Sequence, residues 1–181
     1  MKANILFFIM ATLVFCGCKS TVQEDAPVEE KTTQKEESVT EQEAPGIDTK
    51  DEGGKPWVVD IEKLTKDNIN FRTTKWTGSY FQMTVMSIPK GEDIGLEVHT
   101  ENDQFIRIES GSAKVLMGET EDSLNYEKSV EDDWAIFIPA GYWHNIINTG
   151  NKPLKVYVIY APAEHEKGTV HKTKEDDDHH H

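Results

Sequence analysis

The chain has 181 residues and a formal net charge of −14, enough length for one domain of ordinary size with appendages. Its lysines are isolated, so no basic stripe can replace the counterions of a polyanion, which argues against nucleic acid as a partner. Cys16 and Cys18 are its only cysteines, so the rest of the chain has no thiol for a disulfide, a thiolate-bound zinc or a nucleophile, and any metal there must be held by nitrogen and oxygen.

At the N-terminus, "MKANILFFIMATLVFCGC" runs from a lysine through an apolar stretch to small residues ahead of a cysteine. The apolar run is short for a bilayer span and polar sequence follows at once, which reads as an export signal over residues 1–17. The pattern resembles a bacterial lipoprotein signal, with Gly17 just before the acceptor Cys18. That resemblance implies an exported chain anchored to the membrane by lipid at Cys18, in the periplasm or at the cell surface. A plain secretory signal or an uncleaved anchor is the alternative. Residues 18–56 carry almost no large apolar side chains and cannot bury enough surface to offset the entropy of ordering, so they read as a disordered acidic tether.

From Trp57 to residue 163 the character changes. "WVVDI" opens this region, and "VVDIEKLTKDN" is its one candidate for a short helix. Then come "YFQMTVMSI", "QFIRI", "KVLMG", an acidic loop, "WAIFI", "HNIIN" and "LKVYVIYAP", separated by turn signals such as "PKGEDIG", "ESGSA", "PAGY" and "TGNKP". Short strands at regular spacing, with no long segment of helical period, predict an all-β sandwich or barrel. Within "QFIRIE", alternation puts Gln104, Ile106 and Ile108 on one face, read as inward, and Phe105, Arg107 and Glu109 on the other, with Arg107 and Glu109 as an exterior ion pair. On "YFQMTVMSI", Tyr80, Gln82, Thr84 and Met86 share one side, and which side faces inward stays open. Residues 164–181, with His165 and His171, read as a solvated C-terminal tail; folding back as a lid is the alternative. The final "HHH" is a tag remnant or a natural histidine-rich end.

Two stretches carry the chemistry. "GEDIGLEVHTENDQFIRIESG" supplies Gly91, Glu97, His99, Gln104 and Gly111, and "DWAIFIPAGYWHNIIN" supplies Asp133, Pro139, Gly141, His144 and Asn148. Their spacings resemble the paired motifs of the cupin superfamily, G(X)5HXH(X)3-4E(X)6G and G(X)5PXG(X)2H(X)3N. The resemblance covers about Trp57 to Pro162. It implies an all-β cupin double-stranded β-helix, a jelly-roll β-barrel, built around a metal site.

At the positions where that family holds its metal, this chain has Glu97, His99, Gln104 and His144. Glu97 stands where the first histidine is expected, Gln104 where the glutamate is expected, and Asp133 where the second motif opens on glycine. Both ligand replacements can still donate an oxygen. Glu97 and His99 are two apart, so extended backbone points both to one face, and an inward carboxylate favours a nearby cation. Two histidines and a carboxylate suit Fe(II), and oxygen-rich ligands suit Mn(II), so manganese or iron is favoured as the divalent metal ion, with zinc or nickel open. One anionic ligand leaves the ion a net positive charge and Lewis acidity. Alternative roles stay open for each residue: Glu97 as a general base, Gln104 bonded to a backbone group, His99 as a satisfied core residue, His144 at the rim.

The expected function is a metal-dependent cupin enzyme acting on a small oxygenated substrate, a sugar or small organic acid, by isomerase-, lyase- or dioxygenase-type chemistry. The motifs look like those of small cupins in the mannose-6-phosphate isomerase-like group, though no Arg/Lys cluster offers a phosphate clamp. The alternatives are a non-catalytic cupin lipoprotein that binds a sugar or other small-molecule ligand, and a structural cupin with a vestigial site. The family resemblance also implies a homodimer formed through outer sheets.

Overall fold

The computed structural model describes residues 48–178. In chain order the elements are α1 (Ile61–Asp67), β1 (Arg72–Thr77), β2 (Gln82–Ile88), β3 (Asp103–Ser110), β4 (Ser112–Gly118), β5 (Tyr126–Glu131), β6 (Ala135–Ile138), β7 (Trp143–Asn148), β8 (Leu154–Ala161), β9 (Val170–His171) and α2 (Lys174–Asp178). A six-stranded sheet of order β6-β3-β8-β2-β1-β9 faces a three-stranded sheet of order β5-β4-β7, and every pairing is antiparallel. The strand spacing predicts an all-β sandwich or barrel, and this is the jelly-roll barrel that the family resemblance implies. Among the described residues no helix is long and apolar enough to cross a membrane. The export signal, the anchor Cys18, most of the acidic tether and the terminal histidines lie outside the described residues.

Alternation builds the core. Ile106 and Ile108 of β3, Ile136 and Ile138 of β6, and Val156 and Val158 of β8 meet Ala113 and Val115 of β4, Val130 of β5 and Ile146 of β7. Gln104 falls on the inward side of β3 with its isoleucines, as period two demands. β2 is buried along its whole length, because α1 packs across β2, β3 and β8 on the outer face. Its inward set is the one with Met86 and Ile88, which also carries Gln82 and Thr84. α1 forms where Asp60 caps it by accepting a hydrogen bond from Lys63 N at 3.0 Å, with Glu62 in its first turn and Lys66 in its last.

Several local expectations are corrected. "WVVDI" contributes no strand; Val58 is exposed and the chain turns straight into α1. β1 and β5 escape the pattern reading because "RTTKWT" buries polar rather than alternating apolar residues, and "YEKSVE" is an edge strand with only Val130 turned inward. Glu109 is buried rather than exposed: it lies beside Glu62 and Lys66 of α1, at a register shift between Ile108 and Ser110, and burial raises its carboxyl pKa. Its contact with the half-buried Arg107 spans 3.5 Å.

The two ends flanking the barrel are also tied down. At residues 48–56, read as part of the tether, the Asp51 carboxylate accepts from Thr77 Oγ1 at 2.6 Å and from Thr77 N at 3.1 Å. Among the described residues beyond Pro162, the chain folds back instead of forming a solvated tail: β9 pairs with β1, and Asp177 is buried. No alternation within "AEHEKGTVHKTK" announces this, since the segment is held by polar contacts to distant residues.

Two departures and matches in the motifs have backbone reasons. Asp133, at the family's glycine position, has φ 69°, a left-handed conformation that Asp tolerates better than most residues, and its N–H reaches Ile108 O at 2.9 Å. Asn148 is a staple rather than a ligand. Its buried Nδ2 donates to Ile88 O, Pro89 O and Lys152 O at 2.9, 3.0 and 2.9 Å, joining the β2 exit to the turn before β8. Asn148→Ala is expected to destabilise the fold by about 1–3 kcal/mol in urea unfolding, since it orphans buried carbonyls; an unchanged midpoint would contradict the staple.

Candidate metal centre

The segment after β2 runs along the free edge of β7, where Ile94 N donates to Ile146 O at 3.1 Å. It ends in a bridge in which Glu97 N donates to His144 O at 3.0 Å and His144 N to Glu97 O at 2.9 Å. Directly opposed residues of such a bridge send their side chains to the same face. His144 is delivered to that position by the Pro139–Gly141 turn, with Gly141 at φ 82° and its N–H on His99 O at 2.8 Å. So the backbone itself clamps both motifs together.

The side chains converge accordingly. Glu97 Oε1 lies 3.2 Å from His144 Nε2 and 3.3 Å from His99 Nε2. One ligand atom from each of Glu97, His99 and His144 lies within 4.8 Å of the others, and both histidines are buried. Gln104 is buried on β3, and neither its Oε1 nor its Nε2 has a hydrogen-bond partner. It pairs across the sheet with Tyr160, whose ring packs edge-on against His99 at 5.6 Å, which places the unpaired amide on the wall of the same chamber. The alternative of Gln104 satisfying a backbone group is not what forms.

Hydrogen-bond partners on the far side of each ring decide which nitrogen faces the centre. His144 Nδ1 is 3.0 Å from Tyr142 O, a carbonyl that can only accept, so Nδ1 carries a proton and Nε2 is the nitrogen turned to the centre. His99 Nδ1 is 3.1 Å from a Glu164 oxygen, an ion-pair contact that favours the same tautomer. His99 Nε2 is near Glu97 but not aligned with it and makes no hydrogen bond. The two Nε2 atoms therefore face the Glu97 carboxylate, and His144 Nε2 hydrogen-bonds Glu97 Oε1 at 3.2 Å, so a proton occupies that contact when no ion does.

Charge follows this arrangement. Burial alone would raise the Glu97 carboxyl, but the two histidines and the Arg72 guanidinium outweigh it and hold the group well below the usual carboxylate range. Burial disfavours charge on His99, yet Glu97 and Glu164 together push its pKa up. The site is thus built for positive charge between its ligands. A divalent ion held by Glu97, His99 and His144 would take the place of the proton in that contact.

Residues that no motif announces surround it. Arg72 of β1 is fully buried, with its Nη2 3.0 Å from Asp177 Oδ2 and its Nη1 2.5 Å from His165 Nε2; Asp177 also meets His171 Nδ1 at 2.5 Å. Facing the cation, His165 Nε2 must be the acceptor, and burial and Arg72 push its pKa down to about 2 from an ordinary 6.5. His165 is then neutral in the folded protein under conditions where the unfolded chain binds a proton. Its contribution is complete above pH ~6.5 and is lost as pH falls toward 2, at up to about 1.4 kcal/mol per unit. His165→Gln, which keeps an acceptor but cannot titrate, is expected to flatten the decline in urea midpoint between about pH 6.5 and 5. A decline as steep as the wild type's refutes the assignment.

The comparisons agree with this architecture. The family model described as "Cupin domain" matches residues 84–160, which contain every residue of the candidate centre. The chain is 59% identical over 127 residues to the uncharacterized protein YrkC of Bacillus subtilis (strain 168), covering 70% of this chain and 68% of that one. It is 40% identical over 115 residues to the uncharacterized protein L612 of Acanthamoeba polyphaga mimivirus, covering 63% and 70%. The crystal structure of BH2720 from Bacillus halodurans superposes with a TM-score of 0.71 at 54% identity, over 72% of this chain and 98% of that one. TT1209 from Thermus thermophilus, at 20% identity and a TM-score of 0.50, shares the fold, over 59% and 98% of the two chains. With both motifs folded around one buried cluster and relatives at this level of identity, the chain belongs to the cupin family.

Proposed function

We propose that this protein is a metal-dependent enzyme that acts on a small oxygenated substrate, a sugar or a small organic acid. The observation that carries the reading is the convergence of three ligand-capable groups, Glu97, His99 and His144, whose ligand atoms lie within 4.8 Å of one another with both histidines buried. Burying such a set without a cation is unfavourable, and the unpaired Gln104 amide adds a fourth donor of the right kind. These residues fit a divalent ion: two nitrogens, a carboxylate and an amide oxygen, which favour manganese or iron and leave zinc or nickel open. Once bound, such an ion supplies Lewis acidity toward a hydroxyl, carbonyl or carboxylate.

The chain's own residues orient the ligands and exclude water; His144 and His99 keep their protons on Nδ1, and Tyr160 walls the chamber beside His99. Arg72, the guanidinium beside the site, is already engaged by Asp177, which favours an unphosphorylated substrate over a phosphosugar and weighs against mannose-6-phosphate isomerase-like chemistry. The N-terminal sequence supports export and a lipid anchor at Cys18, so the barrel works at the membrane surface, in the periplasm or outside the cell; the family resemblance supports a homodimer.

Elemental analysis of protein purified without a metal-affinity step tests the centre: about one equivalent of a transition metal is expected, and none refutes it. Oxygen uptake and sugar isomerisation are the first two assays across a panel of sugars and small acids. Metal retained with no turnover in either assigns the chain to ligand capture instead. Incorporation of labelled palmitate that is lost in Cys18→Ser tests the anchor.

A further inference from the structure

We propose that Glu164, from the segment that follows β8, is a positioning residue of the metal centre: it holds the His99 ring so that Nε2 faces the ion. This rests on the metal reading above and adds a residue that lies outside both motifs. Glu164 Oε1 is 3.1 Å from His99 Nδ1, and its other oxygen accepts from the buried Asn102 Nδ2. Both carboxylate oxygens are therefore engaged, and the group cannot rotate away from the ring without giving up a partner.

The backbone that carries Glu164 is fixed to match. The next residue is clamped to β2 from both sides: His165 N donates to Gln82 Oε1 at 2.9 Å, and Gln82 Nε2 donates to His165 O at 2.8 Å. Further along, Gly168 N donates to Thr74 Oγ1 at 2.9 Å, and Thr74 N donates to Thr169 O at 2.9 Å. The β1–β9 pairing and the buried Arg72–Asp177 contact close the strap. A side chain presented from such a frame is placed, not merely near.

The chemistry gives it a purpose. The two imidazoles are held differently: His144 by its own loop carbonyl, His99 by a carboxylate. A carboxylate on the outer nitrogen fixes the tautomer and makes the inner nitrogen a better donor. It also returns a negative charge next to the ion. Where the family pattern has a glutamate ligand, this chain has the neutral Gln104, and the second carboxylate stands one residue further out, at Glu164.

The test uses the metal-free folded protein titrated with Co2+ alone, followed by its visible absorption, for the wild type, Glu164→Gln, Glu164→Asp and His144→Ala. Glu164→Gln is expected to weaken Co2+ binding by roughly 10–100-fold, and Glu164→Asp to recover part of the loss. Nitrogen-15 NMR of the Zn2+-loaded wild type is expected to show the His99 proton on Nδ1. Glu164→Gln binding within twofold of the wild type, while His144→Ala loses the metal, overturns the role of Glu164 and leaves the centre standing. If His144→Ala also binds as the wild type does, the metal reading itself falls. Should Glu164→Gln fail to fold, the NMR result on the wild type still decides, because a zinc ion bound at His99 Nδ1 overturns the proposal.

Discussion

His144→Ala and Glu97→Ala are each expected to reduce divalent-metal retention by more than about 100-fold, beyond the 10–100-fold that loss of an outer partner brings. His144 is the deeper of the two: it is fully buried, and its Nε2 lies 3.2 Å from the Glu97 carboxylate. Without it, the second motif contributes no donor, and the remaining ligands come from one neighbourhood of the chain. Glu97 is the set's only anion, so its loss removes the charge that offsets desolvation of the ion. Gln104→Ala should have a smaller effect, because a neutral amide oxygen is the weakest of the four donors. Co2+ titration of the metal-free variants measures all three. Equal and negligible losses across them would leave an architecture without a centre.

The second large effect concerns stability. Asp177→Ala is expected to destabilise the metal-free protein by roughly 3–5 kcal/mol, because it strands a buried guanidinium. Arg72 is 0% exposed and Asp177 3%, and their contact at 3.0 Å is the direct ion pair of this cation. His165, neutral and accepting from Arg72, satisfies a hydrogen but offsets no charge. The same carboxylate also holds His171 on β9, so its removal loosens the strap's attachment to β1. Replacing both partners by apolar residues, Arg72→Met with Asp177→Leu, should recover much of the loss, since a missing pair is far less harmful than a stranded charge. Urea unfolding of the two singles and the double gives the coupling directly. A loss below about 1 kcal/mol for Asp177→Ala would mean that water reaches Arg72 despite its burial.

Local rules reach a long way into this molecule. Period-two alternation and turn residues identify β2, β3, β4, β6, β7 and β8, and the resemblance to the cupin motifs picks out Glu97, His99 and His144. Those rules fail where burial is polar. "RTTKWT" has no apolar stripe, yet Arg72 to Lys75 are all buried, because their partners come from the chain's far end and from residues before α1.

The order of residues by itself determines the β architecture, through alternation along extended backbone and tight turns at Gly111 and Gly141, and through its motifs' likeness to the cupin pattern it names three convergent donors. Which nitrogen of each imidazole points inward, that Gln104 stays unpaired, that Glu109 is buried beside α1, and that Glu164 returns to His99 are decided by the tertiary structure alone. Each of these depends on a partner at a large sequence separation. No local period or spacing encodes such a partner; only the closed chain brings it within reach.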